Sequence, residues 1–266
     1  MVGEWLEQMI RATAWTMEKP RAYGPFHLIF TFVGLLLAFL IARSLRRTGK
    51  WGNRIVLVGT GVFLILTEVY KQLFYYYHIG DGSYQWWIFP FQLCSVPMYL
   101  CVIAPWLKDG PVQRGMYAFM TTFNLLGGIM AFIEPSGIVH EYWTLTLHAF
   151  IWHMCLIFIG VYLILSGRFA QTKRDYWLAC ATFVALCTIA FGINVALGPI
   201  SDWSINMFFV GPKNSSLIVF KQISEMLGWY VSTLLYIPTV CIGALTIFIP
   251  LYYYGKKRYI FSLAKR

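Results

Sequence analysis

A thiol and two imidazoles, Cys94, His148 and His153, lie inside apolar stretches of this chain. Ionisable groups are rare in such stretches and usually face a bundle interior or a polar cavity. The chemistry they offer is nucleophilic: a thiolate attacks an acyl carbon, and an imidazole within reach takes the thiol proton and later returns it to the leaving group. Cys94 with His153 is the candidate catalytic dyad, and His148 is the reserve base. The two histidines stand five residues apart, which turns their side chains about 140° from each other around a helix. A two-histidine metal pair is therefore disfavoured, and no cofactor is expected. Desolvation opposes thiolate formation in a buried site, so Cys94 needs cationic or hydrogen-bonding help, for which Lys71, Gln92 and Asn124 are the candidates. The amides of Gln92 and Asn124 are also candidate oxyanion donors.

Each residue has a plainer use. Glu68 and Lys71, three apart on one helix face, can neutralise each other as a structural pair. Gln92, Asn124 and Asn194 can serve as hydrogen-bonding glue between helices. Cys101, Cys155, Cys180, Cys187 and Cys241 read as inert packing residues. Two rival functions follow. An ion or proton-coupled transporter or channel would relay charge through Glu68, Lys71, His148 and His153, and would need Glu68 rather than Cys94. A non-catalytic structural membrane protein would use the whole polar layer as glue. A rhodopsin-like receptor ranks lowest, since the last apolar run holds no lysine for a retinal Schiff base.

The elements that must position these groups are membrane helices. Of 266 residues, 59% are hydrophobic and 12% charged, with a mean hydropathy of +0.62, against roughly 25% charged residues in ordinary soluble domains. Apolar runs cover Phe26 to Leu45, Ile55 to Tyr77, Trp86 to Trp106, Gly115 to Ile133, Trp143 to Ser166, Tyr176 to Ala196 and Leu227 to Tyr254. They lack the alternation of a membrane barrel, so the expected fold is all-α, a polytopic helix bundle of about seven transmembrane helices. No internal repeat of the inverted-transporter kind is evident. The first strong run begins near Pro25 and is longer than a signal-peptide core, so the first span is expected to stay. The domain reading is an N-terminal interfacial segment over 1–24, in which Trp5, Met9 and Ala12 recur at helical spacing, a membrane domain over 25–255 and a basic cytoplasmic tail over 256–266.

The net charge of +10 does not indicate nucleic acid, because the Lys and Arg residues sit in short loops. Arg43, Arg46, Arg47, Lys50 and Arg54, then Lys108, Arg114, Arg168, Lys173 and Arg174, then Lys256, Lys257, Arg258, Lys265 and Arg266 fall on one side. That side is expected to be cytoplasmic, with the N-terminus outside. Counted from the outer ends at helical rise, Glu68, Lys71, Gln92, Cys94, Asn124, His148 and His153 share one depth, with Asn194 near the outer surface. One polar chamber, open outward, would collect them.

The segment Phe89-Pro90-Phe91-Gln92-Leu93-Cys94-Ser95 resembles the aromatic/Leu-Pro-x-x-Leu-Cys motif of the bacterial YwaF-like membrane proteins, related to the transmembrane protein 164 acyltransferases. The run from His148 to His153 followed by Gly167-Arg168, the run from Ile205 to Pro212, and Leu227-Gly228-Trp229-Tyr230 resemble further segments of the family. The resemblance implies a seven-helix bundle that transfers acyl groups on phospholipids through a Cys nucleophile and a His base, roles that map onto Cys94 and His153. The androgen-induced-gene-type lipid hydrolases, with Thr and His, represent a related class. The chain departs from the bacterial pattern at Gln92, where His is common, and at Met207, where Tyr is usual. The expected partners are membrane phospholipids, as substrate and solvent, with no nucleic acid and no protein partner assigned. The expected location is the cell membrane.

Overall fold

The computed structural model describes residues 2–263, with side chains described over 3–257. The expected tail residues Lys265 and Arg266 lie outside the described residues, as does the side chain of Arg258. Among the described residues ten α-helices carry the fold: α1 (Val2–Ala12), α2 (Pro25–Leu45), α3 (Lys50–Phe74), α4 (Val96–Ile103), α5 (Pro111–Thr121), α6 (Phe123–Ile133), α7 (Trp143–Leu165), α8 (Lys173–Leu197), α9 (Ile218–Leu227) and α10 (Trp229–Leu263). The chain is an all-α polytopic membrane bundle: among the described residues, six continuous or kinked helical segments are long and apolar enough to cross a bilayer. Its solvent is visible on α2, whose Ile29, Phe32, Leu36, Leu37 and Leu40 are exposed although the helix packs along α7.

The third apolar run is not one helix. Trp86–Ile88 form a 3-10 turn, the backbone is irregular to Ser95, α4 follows, and Ala104–Trp106 form another 3-10 turn. Proline is the cause. Phe89, before Pro90, is extended at φ −45° and ψ 135°, and Pro97 starts α4 from its first turn. Irregular backbone at this depth is tolerated where it is buried in protein or lines a cavity, and this stretch does both. A second break lies between α5 and α6 at Thr122. The hydroxyls of Thr121 and Thr122 bond back to the Tyr117 and Ala118 carbonyls, a pattern that bends helices.

The core is aromatic at its centre: Phe119, Phe123 and Phe183 stack in succession at 5.4 Å and 4.8 Å between α5, α6 and α8. Helix alternation puts α1, the 80–95 stretch, the 134–142 loop and the 198–217 loop at one end of the bundle, and the 46–49, 107–110 and 166–172 connections, with Arg46, Arg47, Lys108 and Arg168, at the other. At the first end, residues 13–17 pair with the 141–143 backbone, Met17 N–H donating to the Glu141 carbonyl at 2.7 Å and Trp143 N–H to the Trp15 carbonyl at 2.9 Å. Helix α1 packs through Ile10 against Phe74 and Tyr75, and leaves Trp5 and Met9 exposed.

Candidate active site

Cys94 stands in the turn one residue before Ser95, the N-cap of α4. A helix start is electropositive and favours an anion beside it. The turn is anchored from α7: Trp152 Nε1–H donates to the Cys94 carbonyl at 3.0 Å, which fastens the cysteine to the helix carrying both histidines. Lys71 lines the same cavity as Cys94 and offers a cation that favours a thiolate.

His153, next to Trp152, has Nδ1 2.7 Å from the Ala149 carbonyl. A carbonyl can only accept, so Nδ1 carries the proton and Nε2 is the free lone pair, the tautomer a general base requires. His148 stacks on Trp152 at 5.5 Å, and its Nε2 is buried without a partner. Lys71 is held by Glu68 at 2.8 Å and lies 6.0 Å from the Trp152 ring centroid. Glu68 also accepts from Gln72 Nε2 at 2.7 Å, and Gln72 in turn donates to the Ile88 carbonyl and accepts from Tyr84 Oη. The Tyr84 phenol is pushed up to about 12, first by burial and then by the Glu68 charge.

These groups meet at a cavity of about 770 Å³. Lys71, Gln92, Cys94, Asn124, His148 and His153 all line it, while Glu68 stands behind Lys71. No hydrogen bond joins the Cys94 thiol to either imidazole; in substrate-free sites such bonds are often long and tighten on binding. Of the two uses open to the amides, the hydrogen bonds match the glue between segments. Both N–H groups of Asn124 are committed, to the Met120 and Leu156 carbonyls at 3.1 and 3.0 Å, which leaves this residue an acceptor at Oδ1 and not an oxyanion donor. Gln92 grips the 206–208 backbone, donating to the Asn206 carbonyl and accepting from Phe208 N–H at 3.1 Å. Asn194 grips Met207 between them, accepting its N–H at 2.6 Å and donating to its carbonyl at 2.9 Å. The two amides clamp a segment that needs it: Phe208 and Phe209 both have left-handed backbones, φ 54° and 56°. Gly211 is required beside the clamp, since a Cβ there would stand 2.7 Å from Asn194 Nδ2.

A match to the TMEM164 family covers residues 22–253, a span that includes every cavity-lining side chain. The chain belongs to the TMEM164 family. The motifs around Cys94, His153 and the 205–212 segment thus lie within the TMEM164 match, and the YwaF-like name has no match of its own. Among curated proteins and among solved structures nothing matches.

Several lining residues of this TMEM164-family cavity escape sequence reasoning. His140 lies just before α7, its backbone N–H bonded to Thr146 Oγ1 at 2.9 Å. Burial first, then the charges of Lys19 and Lys71, hold its imidazole below the usual histidine range. Ser204, Asn206, Lys213 and Asn214 reach the cavity from the 198–217 loop, and Glu134 from the end of α6. The Asn-Met-aromatic segment over 206–208 is the one sequence signal for this wall of the cavity. Among the described residues no cluster of three His, Cys, Asp or Glu side chains could hold a metal.

Proposed function

We propose that this multi-pass membrane protein is a lipid acyltransferase acting through a Cys94 acyl-enzyme. In the first half-reaction the Cys94 thiol gives its proton to His153 Nε2 and the thiolate attacks an ester carbonyl of a phospholipid. A C–S bond forms, the ester C–O bond breaks, and the imidazolium returns the proton to the departing lipid alkoxide. In the second, a lipid hydroxyl loses its proton to His153 and attacks the thioester; a C–O bond forms, the C–S bond breaks, and the proton returns to sulfur. Water in place of the hydroxyl makes the same site a hydrolase. Throughout, Lys71 acts electrostatically. An ammonium has three donors, one of which is spent on Glu68, and the others serve the thiolate and the oxyanion.

The observation that carries this reading is that Cys94, His153 and Lys71 come from three separate segments to line one cavity. The proposed setting is the outer leaflet of the cell membrane, with the cavity end and α1 outside and the basic loops cytoplasmic. The pairing of Glu68 with Lys71 speaks against a free proton relay through those two residues.

The test is product formation. Purified protein in mixed micelles with a chain-deuterated diacyl phospholipid and an unlabelled monoacyl lipid should yield a deuterium-labelled diacyl form of the acceptor, and Cys94→Ala should abolish it. Labelled free fatty acid alone would assign hydrolysis. Neither product from folded wild type, in any donor lipid class, would remove the proposal.

A further inference from the structure

One face of α6 runs along the cavity from its inner end to its mouth: Asn124, Gly127, Ala131 and Glu134 all line it. The two adjacent glycines on this helix differ in what they do. A Cβ on Gly128 would meet Ile157 Cγ1 at 3.0 Å and Leu156 Cβ at 3.2 Å, so that glycine serves the packing of α6 on α7. A Cβ on Gly127 would meet nothing within 4 Å, so no neighbour in the protein requires its absence. The space it leaves belongs to the cavity.

Directly below, at the inner end, Asn124 is 2% exposed and its Oδ1 has no hydrogen-bond partner. Two carbonyl acceptors fix the amide orientation, so the orphaned atom is the oxygen. A buried acceptor of this kind is costly to leave unmade and can be satisfied only by a donor. Apolar Phe123 and Leu156 flank it along the cavity, while the mouth carries Glu134 and Lys213. A ligand that matches this gradient is polar at the mouth and presents an O–H about one helical turn below Gly127.

We infer that this face of α6 is the acceptor-lipid subsite, taking a monoacyl glycerolipid whose free hydroxyl donates to Asn124 Oδ1 while its glycerol unit fills the space beside Gly127. Gly127 is then the specificity-determining position, because any side chain there occupies the room of the glycerol, and Asn124 is a positioning residue that selects lipids with a free hydroxyl. On attack the O–H turns from Asn124 to His153. The inference rests on the acyl-transfer reading and deepens it by naming how the second substrate is held.

Binding can be separated from chemistry by using full-length Cys94→Ala protein, which cannot form a thioester. Its affinity for a monoacyl glycerophospholipid is compared, by native mass spectrometry in detergent, with that for the same lipid methylated at the free hydroxyl. The hydroxyl form should bind about tenfold tighter, the factor one hydrogen bond supplies. Adding Gly127→Leu, which meets no protein atom at Cβ and should leave the melting temperature unchanged or higher, should weaken the hydroxyl lipid at least tenfold. Adding Asn124→Leu should equalise the two lipids; should that variant fail to fold, the methyl-ether comparison and Gly127→Leu carry the test. Equal affinity for the two lipids, or full affinity in Gly127→Leu, overturns the subsite. Labelled-product formation by wild type together with no discrimination would overturn this inference alone, and discrimination without product would overturn the transfer reading alone.

Discussion

Two carboxylates, each 4% exposed, sit at opposite ends of the bundle and are treated in opposite ways. Asp175, in the first turn of α8, is saturated. Arg114 Nε donates to it at 3.0 Å, Thr172 N–H at 2.9 Å, Thr172 Oγ1–H at 2.8 Å and Gln171 N–H at 3.1 Å, and Thr172 and Asp175 together form a capping box. Around it, Thr48, Asn53, Tyr117 and Tyr162 bond to one another and tie α3, α5 and α7. Glu68, in α3, has Oε1 loaded by Lys71 and Gln72 but Oε2 without a partner. Near it the cavity carries further orphaned atoms, Asn124 Oδ1, His148 Nε2 and Asn206 Oδ1. Apart from Arg168 Nη1, which has no partner, the groups named at the Asp175 end are paired. Incomplete pairing around a cavity is the state of a site whose remaining partner arrives with a ligand.

The comparison is broken most sharply by charge removal at each end. Lys71→Met should lower the rate of acyl transfer about 100-fold, the effect of losing one charged stabiliser of an oxyanion, and should also lower the melting temperature by leaving Glu68 as an unpaired buried charge. The double variant Glu68→Gln with Lys71→Met should regain the melting temperature but not the rate; recovery of both would make the pair merely structural. Asp175→Ala should do the reverse. It should cost about 2 to 3 kcal/mol of stability, below the value for a fully buried pair because the Arg114 side chain is 48% exposed, while transfer per folded molecule stays unchanged.

Smaller effects sharpen the account. Trp152→Phe removes the N–H that holds the Cys94 carbonyl and shrinks a buried ring stacked on His148; it should slow transfer about tenfold and also lower the melting temperature. The smallest is a pH effect at His140. Its folded value lies below the ordinary 6.5 because of burial and then Lys19 and Lys71. As pH falls through 6.5 the unfolded chain takes the proton first, so the contribution to stability is complete above that value and is lost progressively below it. Melting temperature measured from pH 7.5 to 5 should fall less steeply in His140→Leu than in wild type, and identical slopes would remove the effect.

Much of the cavity lining is legible in the sequence. Lys71, Cys94, Asn124 and His153 fall at one depth because a helical rise converts residue number into distance, and the fold class follows from apolar runs too long for anything but helices crossing a bilayer. The break in the third run is harder to read. Pro90 and Pro97 mark it, but the unbroken apolar character of residues 86–106 masks them. The clamp of Gln92 on residues 206–208 joins positions more than 110 apart, and no local pattern encodes such a contact. His140 gives no signal either, since it precedes the span whose face it shares. Hydrogen-bond direction is also out of the sequence's reach: Asn124 reads as donor or acceptor until the two carbonyls that use its N–H groups are known.

The central claim is that Cys94 carries an acyl group, and intact-protein mass spectrometry tests it directly. Wild type, Cys94→Ala and His153→Ala are incubated in phospholipid-containing detergent, quenched in acid and weighed before and after hydroxylamine. The account predicts an acyl-sized, hydroxylamine-labile adduct on wild type, none on Cys94→Ala and a slowed appearance on His153→Ala. An adduct that persists in Cys94→Ala, or its absence from wild type quenched on the millisecond scale, would contradict it.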